Sequence, residues 1–175
     1  ASVASFCVSR VDTLVDKVLS EKAATAPAAL REKLEGLRGK AALANARVVY
    51  QDYLAAFSTG AWKALAAKGA RVQRPLWAST GTKNPAYSDL LYVENLVGPD
   101  TVNTVPEKTL AALLDHGRDL GDTVLEGVDE ARRTLDELKE AGVDVEVLGE
   151  KLQGEGVVSF EKSYDELLGV VEERR

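Results

Sequence analysis

Apolar positions along the chain follow two periods, one typical of strands and one typical of helices. Residues 2–8 are small or apolar, and their length and composition predict a buried strand. From about Asp12 to Leu19 the apolar residues recur at helical spacing, which predicts a helix directly after that strand. Three more helices are predicted farther along the chain, at about 28–37, 40–57 and 60–69.

The second half of the chain repeats this order of strand and helix. A second strand is predicted over 71–80 and a third, shorter strand over 101–105, with a short helix between them. Pro106 suits the first turn of a helix that ends at His116 and Gly117. Two further helix starts are predicted from the spacing of the capping box, at Thr123 with Glu126 and at Ser163 with Glu166.

Strands that alternate with helices predict an α/β fold with a parallel sheet, here as one domain over residues 1–175. Three strands form a poor open sheet, because both of its edges remain unpaired. We therefore expect part of a larger sheet or barrel. The absence of methionine and the start of the chain inside an apolar run fit a portion of a longer protein, although a natural N-terminus can also be buried.

Composition narrows the function classes. A formal net charge of −6 without a long basic tract argues against a nucleic-acid surface, and no apolar run reaches the length of a membrane span. The single cysteine, Cys7, fits a reducing cytoplasm and excludes an internal disulfide framework. One cysteine and one histidine, His116, argue against a zinc site of the usual kind.

Candidate chemistry gathers where the predicted strands end, since ligands of parallel α/β folds collect at the carboxyl edge of the sheet. The residues at these ends offer two cations and several hydroxyl groups: Ser5, Ser9, Arg10, Ser79, Thr80, Thr82, Lys83, Asn84, Asn103 and Thr104. Such a set suits a phosphate monoester, because cations offset its charge and hydroxyl groups bind its oxygens. Without a Walker motif or a dinucleotide fingerprint, a sugar phosphate is favoured over a nucleotide.

Simpler interpretations stand beside this one. Arg10 could pair with Asp12 or Asp16 on the same helix, and Lys83 could be a solvated loop lysine. Ser79 could only cap the following turn. Cys7, Trp62 and Trp77 are more typical of core packing than of catalysis or ligand binding.

Four stretches resemble the C-terminal part of a bacterial transaldolase: "SVASFCVSRVD", "RGKAALANA", "QRPLWASTGTKNPAYSDLLYVENLVGPDTVNTVPEKTL" and "LQGEGVVSFEKSYDELL". The resemblance implies the C-terminal part, about three strands and their helices, of a (β/α)8 TIM barrel of the class I aldolase type. It implies a cytoplasmic enzyme that moves a dihydroxyacetone unit from sedoheptulose 7-phosphate to glyceraldehyde 3-phosphate in the pentose phosphate pathway. The reaction passes through a lysine Schiff base and uses no metal or organic cofactor.

The resemblance also assigns roles to four residues of this chain. Ser5 would bind a hydroxyl of the dihydroxyacetone unit, and Arg10 would bind the phosphate group. Ser79 matches the serine of the seventh strand that contacts phosphate. Lys83 would be the second phosphate cation, although many relatives carry an arginine closer to that serine.

No catalytic residue is expected in this segment, because the family's Schiff-base lysine and its acidic partners belong to strands that precede it. The expected partners are therefore sugar phosphates and the N-terminal half of the barrel, with no nucleic acid and no membrane. A homodimer is compatible with the sequence. Two alternatives remain open, a non-catalytic half-barrel that binds phosphate and dimerises, and a structural fragment without a ligand.

Overall fold

The fold is built on a three-stranded parallel sheet, described by a computed structural model over residues 2–174. All three predicted strands are confirmed, as β1 (Ser2–Cys7), β2 (Gln73–Ala78) and β3 (Val102–Asn103). The strands follow the order β1-β2-β3, and Cys7 pairs with Ala78 at the carboxyl end of the first pair. Parallel pairing brings the ends of all three strands to one edge of the sheet.

Helices connect and flank the strands. Within residues 2–174 they are α1 (Val8–Thr25), α2 (Ala28–Gly36), α3 (Ala41–Ala56), α4 (Gly60–Ala66), α5 (Leu91–Asn95), α6 (Glu107–His116), α7 (Val128–Glu140) and α8 (Val145–Glu173), with a 3-10 turn at Thr123–Leu125. The predicted bounds of α2, α3 and α6 agree closely. The start predicted for α1 at about Asp12 is wrong, because the helix follows β1 without a loop. Ser9 and Arg10 therefore lie in its first turn.

Neither predicted capping box starts an α-helix. Thr123 instead links two elements, since its hydroxyl donates to the Glu94 carbonyl at 2.7 Å and accepts from the Val97 N–H at 3.2 Å. Helix α7 begins later, after Gly127, whose φ of 61° is left-handed. The local spacing is misleading here because a tertiary contact uses the threonine side chain.

Ser163 lies inside α8, which continues through the position where a new helix is predicted. Its hydroxyl donates to the Ser159 carbonyl at 3.0 Å, one turn earlier in the same helix. A serine in a helix interior commonly makes this bond, so the capping spacing carries no boundary signal.

Strand β1 is not the buried strand that its composition predicts. Its first four residues are exposed, and Phe6 and Cys7 are only half-buried. Within the described residues β1 pairs only with β2, so one of its edges lacks a neighbour. The central strand is better covered, since Trp77 is fully buried, packs edge-to-face against Phe6 and donates from Nε1 to the Leu96 carbonyl at 3.0 Å.

The core lies between the sheet and the helices, mainly where α1 contacts α2 and α3. Its largest buried members include Val8, Val15, Leu19, Leu34, Tyr50, Trp77, Tyr92, Leu96, Val124 and Leu138. Trp77 is a core residue as predicted, whereas Trp62 is half-exposed on α4 against the ring of Phe57. The predicted inner face of α3 is buried at Ala46 and Tyr50 but exposed at Leu54.

The C-terminal half of α8 presents an apolar stripe to solvent. Its members recur every three or four residues and are more than half exposed: Val157, Phe160, Tyr164, Leu167 and Val171. Leu148 and Leu152, nearer the start of α8, pack against the core. No helix among residues 2–174 has both the length and the hydropathy needed to cross a bilayer.

A glycine between α2 and α3 is required by both its conformation and its surroundings. Gly39 has a φ of +71°, and a Cβ there would lie 2.7 Å from Cζ of Tyr87. We expect Gly39→Ala to lower the free energy of unfolding by about 3 kcal/mol, from left-handed strain and displacement of the ring. Urea unfolding measures the change.

Gly69→Ala is the matched control, because Gly69 also has a positive φ, of +92°, but no atom lies within 4 Å of the position that its Cβ would occupy. Only the conformational cost remains there, about 1 kcal/mol. Equal losses in the two variants would contradict the role assigned to the Tyr87 ring.

Candidate functional site

The candidate site lies at the carboxyl edge of the sheet, where three segments are joined by hydrogen bonds. The Ser9 N–H donates to the Ser79 carbonyl at 3.1 Å and links the first turn of α1 to the end of β2. The Thr80 hydroxyl donates to Oδ1 of Asn103 at 2.8 Å and links the same end of β2 to β3. These bonds hold the predicted polar residues of the three strand ends in one region.

Arg10 and Lys83 line one pocket of about 420 Å³. Helix α1 contributes Arg10, the loop after β2 contributes Lys83, and α8 adds Leu152 and Glu155. Two of the predicted site residues, far apart in sequence, therefore meet at one cavity. A pocket with two cations attracts a small anion, and the guanidinium fork suits the oxygens of a phosphate.

A third cation, Lys17, lines the same pocket and is not among the anion contacts predicted from the sequence. It lies two helical turns after Arg10 on α1, with Thr13 and Leu14 between them on that face. The sequence does contain a signal for it, because residues seven apart share one face of a helix. That signal depends on placing Arg10 inside the helix, whereas the sequence predicts a helix that starts only at about Asp12.

Ser5 lies on a neighbouring pocket of about 490 Å³, which Arg10 also lines. This second pocket is mainly apolar, with Phe6 and Cys7 from β1 and with Leu148 and Phe160 among the residues of α8. Arg10 therefore lies between a cationic pocket and an apolar one. Cys7 forms part of the apolar wall, as expected of a packing residue.

Of the four residues to which the resemblance assigns a role, Ser79 alone lines neither of the two pockets that Arg10 lines. Its backbone adopts a left-handed φ of 55°, which turns the chain sharply after β2, and its carbonyl accepts the bond from Ser9. The geometry thus explains a backbone role, and a contact of its side chain with phosphate stays a prediction.

Asp12 and Asp16, the alternative partners of Arg10, are engaged elsewhere. Asp12 accepts from the Ala42 N–H at 2.8 Å and from the Tyr92 hydroxyl at 2.7 Å. Asp16 is bound in the same manner by one backbone N–H and one tyrosine hydroxyl. Among the described residues no carboxylate forms an ion pair with Arg10 or Lys83, so both cations remain available to a ligand.

The Asp16 contacts tie two loops to α1. The carboxylate accepts from the Gly39 N–H at 2.9 Å and from the Tyr87 hydroxyl at 2.6 Å. Burial and the bond to Asp16 raise the pKa of Tyr87 to about 12. Burial likewise raises the pKa of Asp12, against the opposing effect of its hydrogen bonds, and raises that of Tyr92. The long-range bonds of the two carboxylates are not predicted, since nothing local in the sequence pairs their partners.

Ser9 has a buried hydroxyl with no hydrogen-bond partner among the described residues, and its side chain is 1% exposed. Thr13 and Ser20 on the same helix each bond the carbonyl four residues earlier. Ser9 lacks that option, because the residue four positions earlier is Ser5, which lies in β1. Its hydroxyl is left unsatisfied beside the cationic pocket, which it also lines.

Metal-binding side chains are not gathered in this region. Among residues 2–174 no group of three His, Cys, Asp or Glu side chains has the geometry of a metal site. His116 lies at the end of α6, where its Nε2 is 3.1 Å from Oδ1 of Asp89 and its Nδ1 is 3.1 Å from Oδ2 of Asp115. His116 thus has two carboxylate partners at the end of the helix.

Comparison with known proteins places this geometry in a family context. Residues 1–171 match the family model described as transaldolase/fructose-6-phosphate aldolase. The chain is 55% identical to a transaldolase of Thermobifida fusca, over 95% of this chain and 44% of the relative. It is 50% identical to a transaldolase of Frankia alni, over 98% of this chain and 44% of the relative. A third relative, transaldolase 1 of Streptomyces coelicolor, is 51% identical over 97% of this chain and 43% of the relative.

The chain thus spans under half the length of the curated relatives that it matches. Its sheet is correspondingly small, with three parallel strands in the described residues.

The unsatisfied hydroxyl of Ser9 yields a test of stability. We expect Ser9→Ala to raise the free energy of unfolding by about 1 kcal/mol or more, because a buried polar group without a partner is removed. Ser20→Ala, on the same helix, is the control for the better helix propensity of alanine, about 0.5 kcal/mol. If Ser9→Ala is no more stable than Ser20→Ala in urea unfolding, the hydroxyl is satisfied.

The raised pKa of Tyr87 yields a test at alkaline pH. The unfolded chain loses this proton near its ordinary pKa of 10.0, whereas the folded chain keeps it until about 12. The contribution of Tyr87 to stability is therefore complete below pH 10 and is lost as the pH rises to about 12. We expect the difference in unfolding free energy between wild type and Tyr87→Phe to shrink over this range. A constant difference would contradict the buried bond to Asp16.

Proposed function

Because the chain belongs to the transaldolase/fructose-6-phosphate aldolase family, we propose that it is the C-terminal part of a transaldolase and forms the phosphate side of the active site. The enzyme would transfer a dihydroxyacetone unit from sedoheptulose 7-phosphate to glyceraldehyde 3-phosphate in the cytoplasm. The observation that supports this most is that Arg10 and Lys83 line one pocket at the carboxyl edge of a parallel sheet.

Phosphate would bind in the cationic pocket. The Arg10 guanidinium offers paired N–H donors to two phosphate oxygens, and the Lys83 ammonium adds a second positive charge. With Lys17 on the same wall, the pocket carries three cations against the single carboxylate of Glu155. This excess of positive charge favours a phosphate dianion over a neutral sugar.

The sugar chain would extend from that pocket towards Ser5. Arg10 lines both cavities, so a ligand whose phosphate contacts Arg10 could extend its carbon chain into the pocket that Ser5 also lines. The Ser5 hydroxyl can bind a hydroxyl group of the dihydroxyacetone unit. Ser79, at the end of β2, would contribute to the phosphate subsite from its backbone turn.

The covalent step would use a lysine outside this segment. A Schiff-base lysine must be neutral to attack a carbonyl group, and a dry pocket favours the neutral form by lowering its pKa. Lys17 and Lys63 lie on the helices α1 and α4, and Lys83 lies in a loop. All three are exposed, so none has the dry environment that this chemistry needs.

The remaining half of a barrel is the partner that this proposal requires. Strand β1 has a free edge and an exposed surface in the described residues, and three strands cannot close a barrel. Added strands would pair with that edge and cover the surface. The exposed stripe on α8 is compatible with contact to those added elements or with a homodimer.

A chimera tests the proposal. The N-terminal part of the Thermobifida fusca transaldolase, joined to this chain, should transfer dihydroxyacetone between the two sugar phosphates, whereas the 175-residue chain alone should not. Arg10→Ala in the chimera should lower kcat/KM by about 30-fold or more, since a charge-assisted contact contributes about 2 kcal/mol.

Arg132→Ala, which removes an exposed arginine on α7, is the matched control and should leave kcat/KM within about twofold. Borohydride trapping of a ketose adduct by the 175-residue chain alone would contradict the location of the Schiff-base lysine. An Arg10→Ala chimera with unchanged kinetics would contradict the phosphate assignment.

A further inference from the structure

The position of Lys83 depends on an irregular loop. Residues 79–90 contain no helix or strand, and the Lys83 side chain is exposed within this stretch. Arg10, by contrast, lies on an 18-residue helix. A cation on a loop aids anion binding only if the loop is held in place, because ordering it on binding costs conformational entropy.

Tyr87, later in the same loop, attaches the loop to α1. The Tyr87 hydroxyl donates to Oδ2 of Asp16 at 2.6 Å, and the other oxygen of that carboxylate accepts from the Gly39 N–H at 2.9 Å. The ring lies over Gly39, where a Cβ would come within 2.7 Å of Cζ. A hydrogen bond and a close apolar contact thus fix the position of the Tyr87 side chain.

A tight turn connects the anchored Tyr87 to Lys83. The Tyr87 N–H donates to the Asn84 carbonyl at 3.1 Å, and the Ala86 N–H donates to Oδ1 of Asn84 at 3.0 Å. Lys83 directly precedes this turn. Lys83, Asn84, Tyr87 and Asp16 also line one cavity of about 280 Å³ with Lys17, so the turn faces α1 across this cavity.

Asp16 lies on the same helix as Arg10, six residues later. A helix of this length is a stiff element, so the separation between Asp16 and Arg10 is fixed. We therefore infer that Asp16 and Tyr87 are positioning residues, which hold the loop of Lys83 against α1 so that Lys83 and Arg10 face the same phosphate. This inference rests on the proposed function for its ligand, but the positioning itself can be measured without one.

Tyr92 provides a matched comparison. Its hydroxyl binds Asp12 at 2.7 Å, in a bond of the same chemistry on the same helix. Tyr92 lies on α5, however, nine positions after Lys83 and outside the turn that Asn84 forms with Tyr87. Loss of its hydroxyl should therefore affect stability but leave the loop of Lys83 in place.

Trypsin cleavage after Lys83 measures the positioning directly. In Tyr87→Phe we expect cleavage of the native chain at Lys83 to be about fivefold faster than in wild type or more, because the loop leaves α1 more often. In Tyr92→Phe the rate should stay within about twofold. Equal rates in wild type and Tyr87→Phe, or equal acceleration in both variants, would overturn the inference.

Calorimetry of arabinose 5-phosphate binding to the chain measures the effect of the loop position on ligand affinity. Tyr87→Phe should weaken binding about three- to tenfold, and Tyr92→Phe should leave it within about twofold. Asp16→Asn, which keeps a side chain of the same size that can still hydrogen-bond to Tyr87 and Gly39, should bind within about threefold of wild type.

A double-mutant cycle tests whether Tyr87 affects phosphate binding through Lys83. If Tyr87 acts through Lys83, the variant that combines Tyr87→Phe with Lys83→Ala should bind no more weakly than Lys83→Ala alone. Independent, multiplying losses would overturn the inference while leaving the phosphate site intact. The proposed function fails separately, if wild type and Arg10→Ala bind arabinose 5-phosphate equally well or not at all; in that case trypsin cleavage still decides whether Tyr87 holds the loop.

Discussion

The parallel pairing of β1 with β2 is the constraint on which the rest of the molecule depends. Its register aligns Cys7 with Ala78, so both strands end at the same level. Helix α1 follows the first strand without a loop, and the bond from Ser9 to Ser79 is made directly beyond the last pair. Residues that are about seventy positions apart in sequence thereby share one small region. A shift in this register would separate the two cations of the candidate site.

Two acidic residues on α1 extend this arrangement into the surrounding loops. Asp12 and Asp16 lie one turn apart, and each accepts one backbone N–H and one tyrosine hydroxyl. The backbone donors belong to the region of α2 and α3, and the tyrosines belong to the segment after β2. Burying a carboxylate is costly unless its oxygens are satisfied, so these bonds make α1 the centre of a specific arrangement.

The sequence is most informative where a structure depends on local pattern. The three strands and the bounds of α2, α3 and α6 follow from the hydrophobic period. The meeting of Arg10 with Lys83 follows from the rule that parallel strands end together. Prediction fails where tertiary contacts override local signals. Thr123 has the spacing of a capping residue, yet its hydroxyl forms hydrogen bonds with the Glu94 carbonyl of α5 and with the Val97 N–H beyond that helix. The Tyr87–Asp16 bond joins positions 71 residues apart, which no periodic pattern could pair.

In the proposed barrel, the free edge of β1 would also set the register of the strands added to it. A strand added there takes its register from β1, and every strand beyond it takes its register in turn. Because side chains alternate between the two faces of a strand, a slip by one residue would turn all inward side chains of the added strands outward. In the proposed enzyme, the Schiff-base lysine on those strands would then face away from Arg10. In the proposed enzyme, the six residues of β1 would therefore determine whether the two halves of the active site face each other.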